Sequence, residues 1–180
     1  CFTNTIWTND NNSIIHINSD SLVLDDIYHK IKLVPLAERT PLSSVFPILK
    51  FINLGQANFE PGTKYKIFNI NNHKIAGMIC YESTFPQLNR KFVNNGAEIL
   101  IYFVNDGWYE TPPEPQQHAK QSIYRAIEFR RPIIRCANTG ISQTIDKIGN
   151  ITNKLELNKA GAISANVIPS SKSTFYAQYG

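Results

Sequence analysis

Lys74-Ile75-Ala76-Gly77-Met78-Ile79-Cys80-Tyr81-Glu82-Ser83-Thr84-Phe85-Pro86 decides how this chain is read. Its first half is a short apolar run of strand length that ends at a cysteine. A helix start follows at once, with Ser83 or Thr84 as the expected N-cap and Pro86 near the first helical position. The arrangement sets a thiol at the C-terminal end of a strand, beside the positive end of a helix. The helix dipole and a neighbouring cation there both favour thiolate, the nucleophilic form. Glu82, two residues on, is close enough in sequence to share the site. Cys80 is thus a candidate nucleophile, with a buried structural cysteine as the competing reading.

Reading outward, a helix is expected over Pro86–Asn94, burying Leu88, Phe92 and Val93 and closed by Gly96. Ala97–Val104 is almost continuously apolar, the pattern of a strand covered on both faces. It ends at Asn105-Asp106-Gly107-Trp108. The Pro-rich stretch Thr111–Pro115 introduces a second helix, about Gln116–Arg130, with Ala119, Ile123, Ala126 and Ile127 on its apolar face and Pro132 as its stop. Ile133–Ala137 is the next strand, Ile141–Asp146 and Ile151–Leu157 a hairpin around Ile148-Gly149-Asn150, and Ala162–Ile168 a last strand. Upstream, Tyr65–Ile70 and Lys74–Cys80 pair around Asn71-Asn72, and Ser13–Ile17 and Leu22–Leu24 read as short strands. The alternation of strands and helices predicts an α/β layered domain. Reactive groups in such folds collect at the C-terminal ends of strands, where Cys80, Asn105 and Asn138 stand.

The 180 residues, 42% hydrophobic and 18% charged, suffice for one domain with a real core. A net charge of +4 without a Lys/Arg block argues against nucleic acid as a partner and is only weakly attractive to anionic lipid. Cys1, Cys80 and Cys136 are too few and scattered for a disulfide framework. Cys136 is expected to be inert core within its apolar strand. His16, His29, His73 and His118 lie far apart, so no metal is indicated, and no cofactor is expected. The longest apolar run, Val45–Ile52, is broken by Pro47 and Lys50 and falls short of the roughly 18 residues that span a bilayer. The chain opens at Cys1, in strand-like sequence, without Met or a signal peptide, as expected of a fragment.

Three segments now stand together. Tyr28-His29-Lys30-Ile31-Lys32-Leu33-Val34-Pro35-Leu36-Ala37-Glu38 sets a lysine eight residues before a glutamate. Ile79-Cys80-Tyr81-Glu82 adds the thiol and a second carboxylate, and Asn105-Asp106-Gly107-Trp108 follows the next strand. The set resembles the nitrilase (carbon–nitrogen hydrolase) superfamily, whose members use a Glu–Lys–Cys triad. Within it the chain is most similar to the catalytic domain of the apolipoprotein N-acyltransferase family. Gln117-His118, Arg125-Ala126-Ile127-Glu128, Arg131-Pro132 and Asn138-Thr139-Gly140-Ile141 continue the pattern. Phe175-Tyr176-Ala177-Gln178-Tyr179-Gly180 is similar to the stretch before that family's last membrane helix.

The resemblance implies a nitrilase-like α-β-β-α sandwich, of which residues 1–180 are the C-terminal two-thirds or so. It also implies a domain on the periplasmic side of the bacterial inner membrane, with the membrane helices outside this chain. The general-base glutamate of the triad falls upstream of Cys1. On this reading the 180 residues alone are inactive. Cys80 takes an acyl chain from a phospholipid as a thioester and passes it to the N-terminal amine of a diacylglyceryl-cysteine apolipoprotein. Lys30, with the backbone N–H after Cys80, stabilises the oxyanion, while Glu38 and Glu82 orient the catalytic groups. Tyr81, Asn105, Asp106 and Trp108 line the substrate site. His118 makes a structural hydrogen bond, and Arg125 and Glu128 form an ion pair fixing helix to sheet. The apolar stretch Val45–Leu54 is expected to touch the membrane surface and admit the acyl chain. Two rivals share the motifs: a soluble amidase with water as acceptor, and an inactive truncated or non-catalytic domain of the same fold.

Overall fold

The computed structural model describes residues 2–8, 11–17, 26–39, 59–107 and 113–180, which fall into two compact units, Cys1–Lys64 and Tyr65–Gly180. In the first unit, β1 (Phe2–Thr8), β2 (Asn11–His16) and β3 (Ile27–His29) form an antiparallel sheet in the order β1-β2-β3. Ile14, Ile15 and Tyr28 are buried. β2 matches the strand expected from Ser13, while β3 carries no strong strand signal of its own. Leu22–Leu24 and Val45–Leu54 lie outside the described residues.

In the second unit Asn71 and Asn72, at φ 49° and 65°, turn β4 (Phe68–Ile70) back into β5 (His73–Ile79). Two successive left-handed residues make the tight hairpin turn that suits strand twist, and asparagine tolerates that region. From β5 the chain passes through a single 3-10 turn, Cys80–Thr84, into α1 (Pro86–Asn94). It continues through β6 (Ile99–Val104), α2 (Glu114–Phe129), β7 (Ile133–Ala137), β8 (Ser142–Ile145), β9 (Ile151–Leu155) and α3 (Phe175–Tyr179). The sheet order is β4-β5-β6-β7-β8-β9, with β5, β6 and β7 mutually parallel and the outer pairings antiparallel. Parallel neighbours require crossover helices, which α1 and α2 supply. All six residues of β6 are buried, as its apolar run predicts.

Three expectations are corrected. The N-cap of α1 is Phe85 rather than Ser83 or Thr84, because the 3-10 turn intervenes and its hydroxyls bond within it. Ala162–Ile168 is not a strand; Ile163, Ala165 and Val167 are half-buried and alternate with exposed neighbours, but the segment joins no ladder. On α2 the buried face is Pro115, His118, Ala119, Ser122, Arg125, Ala126 and Phe129, while Ile127 is exposed. Ile123 and Ile127 instead lie against the β8–β9 hairpin tip, where a Cβ on Gly149 would meet Ile127 Cγ1 at 2.7 Å. Among the described residues no helix is long and apolar enough to cross a membrane.

Candidate active site

Lys30 follows β3 directly and is 1% exposed. Its Nζ donates to both Glu38 oxygens, at 2.8 and 2.7 Å. Glu38 also accepts from the Val34 N–H at 2.7 Å and from Asn12 Nδ2 at 3.0 Å. The buried carboxylate therefore receives four hydrogen bonds from three donor groups, which compensates its loss of water. Glu38 reaches Lys30 because the chain reverses at Leu36, at φ 67°, and the Glu38 N–H bonds to the Val34 carbonyl at 2.9 Å. The eight-residue spacing of lysine and glutamate is thus a buried ion pair closed by one tight turn. Asn12 was not legible, since an amide in a strand of an asparagine-rich chain carries no distinguishing signal.

In the second unit Cys80 ends β5 with φ +49°, a left-handed conformation uncommon for a residue with a Cβ. Its Sγ is half-buried and donates to the Asn105 carbonyl at 3.6 Å, at the end of β6. The thiol thus lies at the C-terminal edge of adjacent parallel strands, where the sequence put it. The helix expected to point its dipole at the thiol is displaced by the 3-10 turn, so α1 begins only at Pro86. Glu82 is fully buried and accepts the Ile79 N–H at 2.8 Å, a bond that holds the turn to the strand before it. Tyr81 is half-buried, with its ring edge-on to Phe85 at 4.8 Å.

Behind the turn runs a buried polar chain. The Ser83 hydroxyl donates to the Cys80 carbonyl at 2.8 Å, and His118 Nε2 lies 3.0 Å from Ser83 Oγ and 3.3 Å from the same carbonyl. His118 Nδ1 is 2.9 Å from Asp106 Oδ1, and Arg135 donates to Asp106 Oδ2 at 2.9 Å and to the Ile141 carbonyl at 2.6 Å. Burial alone would raise the Asp106 carboxyl, but the His118 hydrogen bond and the Arg135 guanidinium outweigh it and hold the group below the usual carboxylate range. The Asp106 carboxylate only accepts, so His118 Nδ1 donates to it. Gly140 is flush against this carboxylate, and a Cβ there would overlap it.

Asp106 is therefore not a pocket-mouth residue as expected; it is 1% exposed and committed to His118 and Arg135. Asn105 is exposed, and its Oδ1 accepts from Asn138 Nδ2 at 2.7 Å and from the Gly107 N–H at 3.1 Å. Asn105 and Asn138 thus meet at neighbouring strand ends. Trp108 lies outside the described residues. His118 makes the structural hydrogen bond expected of it. Arg125 pairs with Glu128 at 2.6 Å, but its other contact is the Thr84 carbonyl of the turn, not the sheet. Cys136 is exposed, because it occupies the β7 face opposite to buried Arg135. Arg135 was missed, although a lone arginine inside Ile133–Ala137 signals a buried partner.

Comparison with known proteins gives the family and the fold. Residues 5–173 match the carbon-nitrogen hydrolase family. The chain is 37% identical over 155 residues to the apolipoprotein N-acyltransferase of Thermotoga maritima, covering 86% of this chain and 31% of that protein. It is 38% identical over 156 residues to the enzyme of the same name from Rickettsia prowazekii, covering 85% of this chain and 31% of that protein. It therefore spans about a third of the length of these curated relatives. A carbon-nitrogen hydrolase structure from Helicobacter pylori superposes with a TM-score of 0.63 at 20% identity, over 83% of this chain and 54% of that one. The layered fold, the thiol at a strand end and the family match converge: the chain belongs to the carbon-nitrogen hydrolase family.

Proposed function

We propose that this chain carries the nucleophile of an N-acyltransferase that completes the maturation of bacterial lipoproteins. One structural observation supports it above the others: Cys80, half-buried and held at positive φ where a parallel strand ends, in a chain whose curated relatives bear that name. In the first step Cys80 Sγ attacks the ester carbonyl of a phospholipid, a carboxylate base takes the thiol proton, the C–S bond forms and the ester C–O bond breaks. The lysophospholipid alcohol leaves with the proton. In the second, the N-terminal amine of a diacylglyceryl-cysteine apolipoprotein attacks the thioester, the C–N bond forms and the thiol is released with a proton. Two easy steps replace one difficult transfer.

On this reading Lys30 and the Tyr81 N–H stabilise the tetrahedral oxyanion, and Glu38 holds the Lys30 ammonium in place through its two contacts. Asn105 and Trp108 border the substrate, and the enzyme works at the periplasmic face of the inner membrane with both substrates lipid-borne. The test is intact-mass analysis of the full-length protein after incubation with phosphatidylethanolamine vesicles, with Cys80→Ala as control. A hydroxylamine-sensitive acyl adduct, absent from the control, is expected. Ammonia release from small amides without an adduct would move the reading to an amidase, and neither product would leave a domain without catalysis.

A further inference from the structure

The polar chain behind Cys80 has no place in the two-step chemistry, yet it is among the most completely buried parts of the second unit. Ser83 and Asp106 are each no more than 1% exposed. At the end nearest the thiol, Ser83 Oγ and His118 Nε2 both meet one backbone group, the Cys80 carbonyl. We propose that Ser83, His118 and Asp106 are positioning residues that lock the Cys80–Tyr81 peptide so that its N–H faces the reacting carbonyl as the oxyanion donor. The proposal rests on the acyl-transfer reading and assigns the device that makes its transition-state stabilisation possible.

A trans peptide is planar, and its C=O and N–H point in opposite directions. The Cys80 carbonyl is drawn inward, 2.8 Å from Ser83 Oγ and 3.3 Å from His118 Nε2. The N–H of Tyr81 must then point outward, away from α2. That N–H also belongs to the first turn of a helical segment, where no carbonyl of the same segment can accept it. Cys80 holds this peptide with a left-handed φ of +49°, a conformation that is costly for a residue with a Cβ. Two contacts hold it. Glu82 fixes the near side through the Ile79 N–H at 2.8 Å, and the Ser83–His118 pair fixes the far side. His118 is itself immobilised by Asp106 at 2.9 Å, and Asp106 by Arg135. The result is a rigid path from β7 to the peptide next to the nucleophile, of the kind a preorganised oxyanion site requires.

The test separates carbonyl chemistry from thiol chemistry in the full-length protein. Acylation of Cys80 by a short-chain p-nitrophenyl ester passes through an oxyanion; alkylation by iodoacetamide does not. In His118→Ala and Ser83→Ala the acylation burst should slow, by up to about 10²–10³-fold for the histidine, while alkylation keeps its rate. His118→Gln, whose amide donor can stand near the lost Nε2, should recover part of the burst. Equal loss of both rates, or loss of neither, overturns the proposal. Ser83→Ala removes no buried charge and carries the test if His118→Ala does not fold. If the unaltered protein shows no burst at all, the acyl-transfer reading fails, and crystal structures of the two alanine variants decide the proposal. A Cys80–Tyr81 peptide turned over from its present orientation supports it; an unmoved peptide in both overturns it.

Discussion

Cys80, Leu36 and Arg130 share a positive φ that none of their side chains favours, unlike the asparagines at 71, 72 and 158. Such a conformation costs of order 1–2 kcal/mol and persists only where surrounding contacts over-determine it. At Leu36 the reason is the reversal that delivers Glu38 to Lys30; at Cys80 it is the buried network centred on Asp106. Asp106 is the group through which that network can be tested for stability. Removing one partner of a buried, paired charge typically costs about 3–5 kcal/mol, because the other is left uncompensated. Asp106→Asn should therefore lower unfolding free energy at pH 7 by about that amount, read from urea midpoints. The sign with pH follows from the depressed carboxyl. A folded-state value below the unfolded one gives stability that is complete above about pH 4 and is lost as pH falls through the lower folded value. The gap between the wild type and Asp106→Asn should accordingly narrow below pH 4. A gap constant down to pH 2.5 would show that Asp106 is not the ionised partner described.

At the scale of elements, most of the second unit was legible because its signals were local. The apolar run of β6, Pro86 at the start of α1, Pro132 after α2 and Asn71-Asn72 at the hairpin each act within a few residues. What was not legible depends on partners distant in sequence. Residues 162–168 show the period-two pattern of a strand, and their alternating exposure confirms an extended chain with one packed face. A ladder also needs a neighbouring edge in register, and periodicity says nothing about that. The polar buried face of α2 was misread for the same reason: His118 and Arg125 face inward because Asp106, Ser83 and the Thr84 carbonyl await them. Of the site itself, Cys80 at its strand end and the Lys30–Glu38 pair were readable from motif spacing, whereas Arg135 and Asn12 were not. The end of α2 gives a prediction of its own. Arg130 is exposed and left-handed at φ 50°, the position where helices favour glycine. Arg130→Gly should raise stability by about 0.5–1 kcal/mol, seen as a higher thermal midpoint. A lower midpoint would mean that the side chain, not the backbone, matters there.

On the scale of the second unit as a whole, the sheet fixes the strand ends, but the chain after β9 has almost no ladder to hold it. Two arginines take over. Arg131, 3% exposed, donates to the carbonyls of Ala97, Phe129, Arg130 and Lys172, tying the start of β6, the end of α2 and the returning chain to one guanidinium. Arg90 on α1 donates to the carbonyls of Ala177 and Gln178, and Asn94 adds a second bond to the Ala177 carbonyl. The five-residue helix α3 is far too short to be stable alone, so its order comes from these bonds, the Thr174 cap and the buried Ala177. The two arginines should then fail differently. Arg131→Met strands several buried carbonyls at once and should lower global stability by about 3 kcal/mol or more. Arg90→Ala removes only part of the dock of α3, since Asn94 still donates to the Ala177 carbonyl and the Thr174 cap remains. Its urea midpoint should stay close to that of the wild type, while hydrogen exchange accelerates at residues 175–180 alone. If Arg90→Ala instead lowered the midpoint as far as Arg131→Met, α3 would be a cooperative part of the core rather than a strap laid over it.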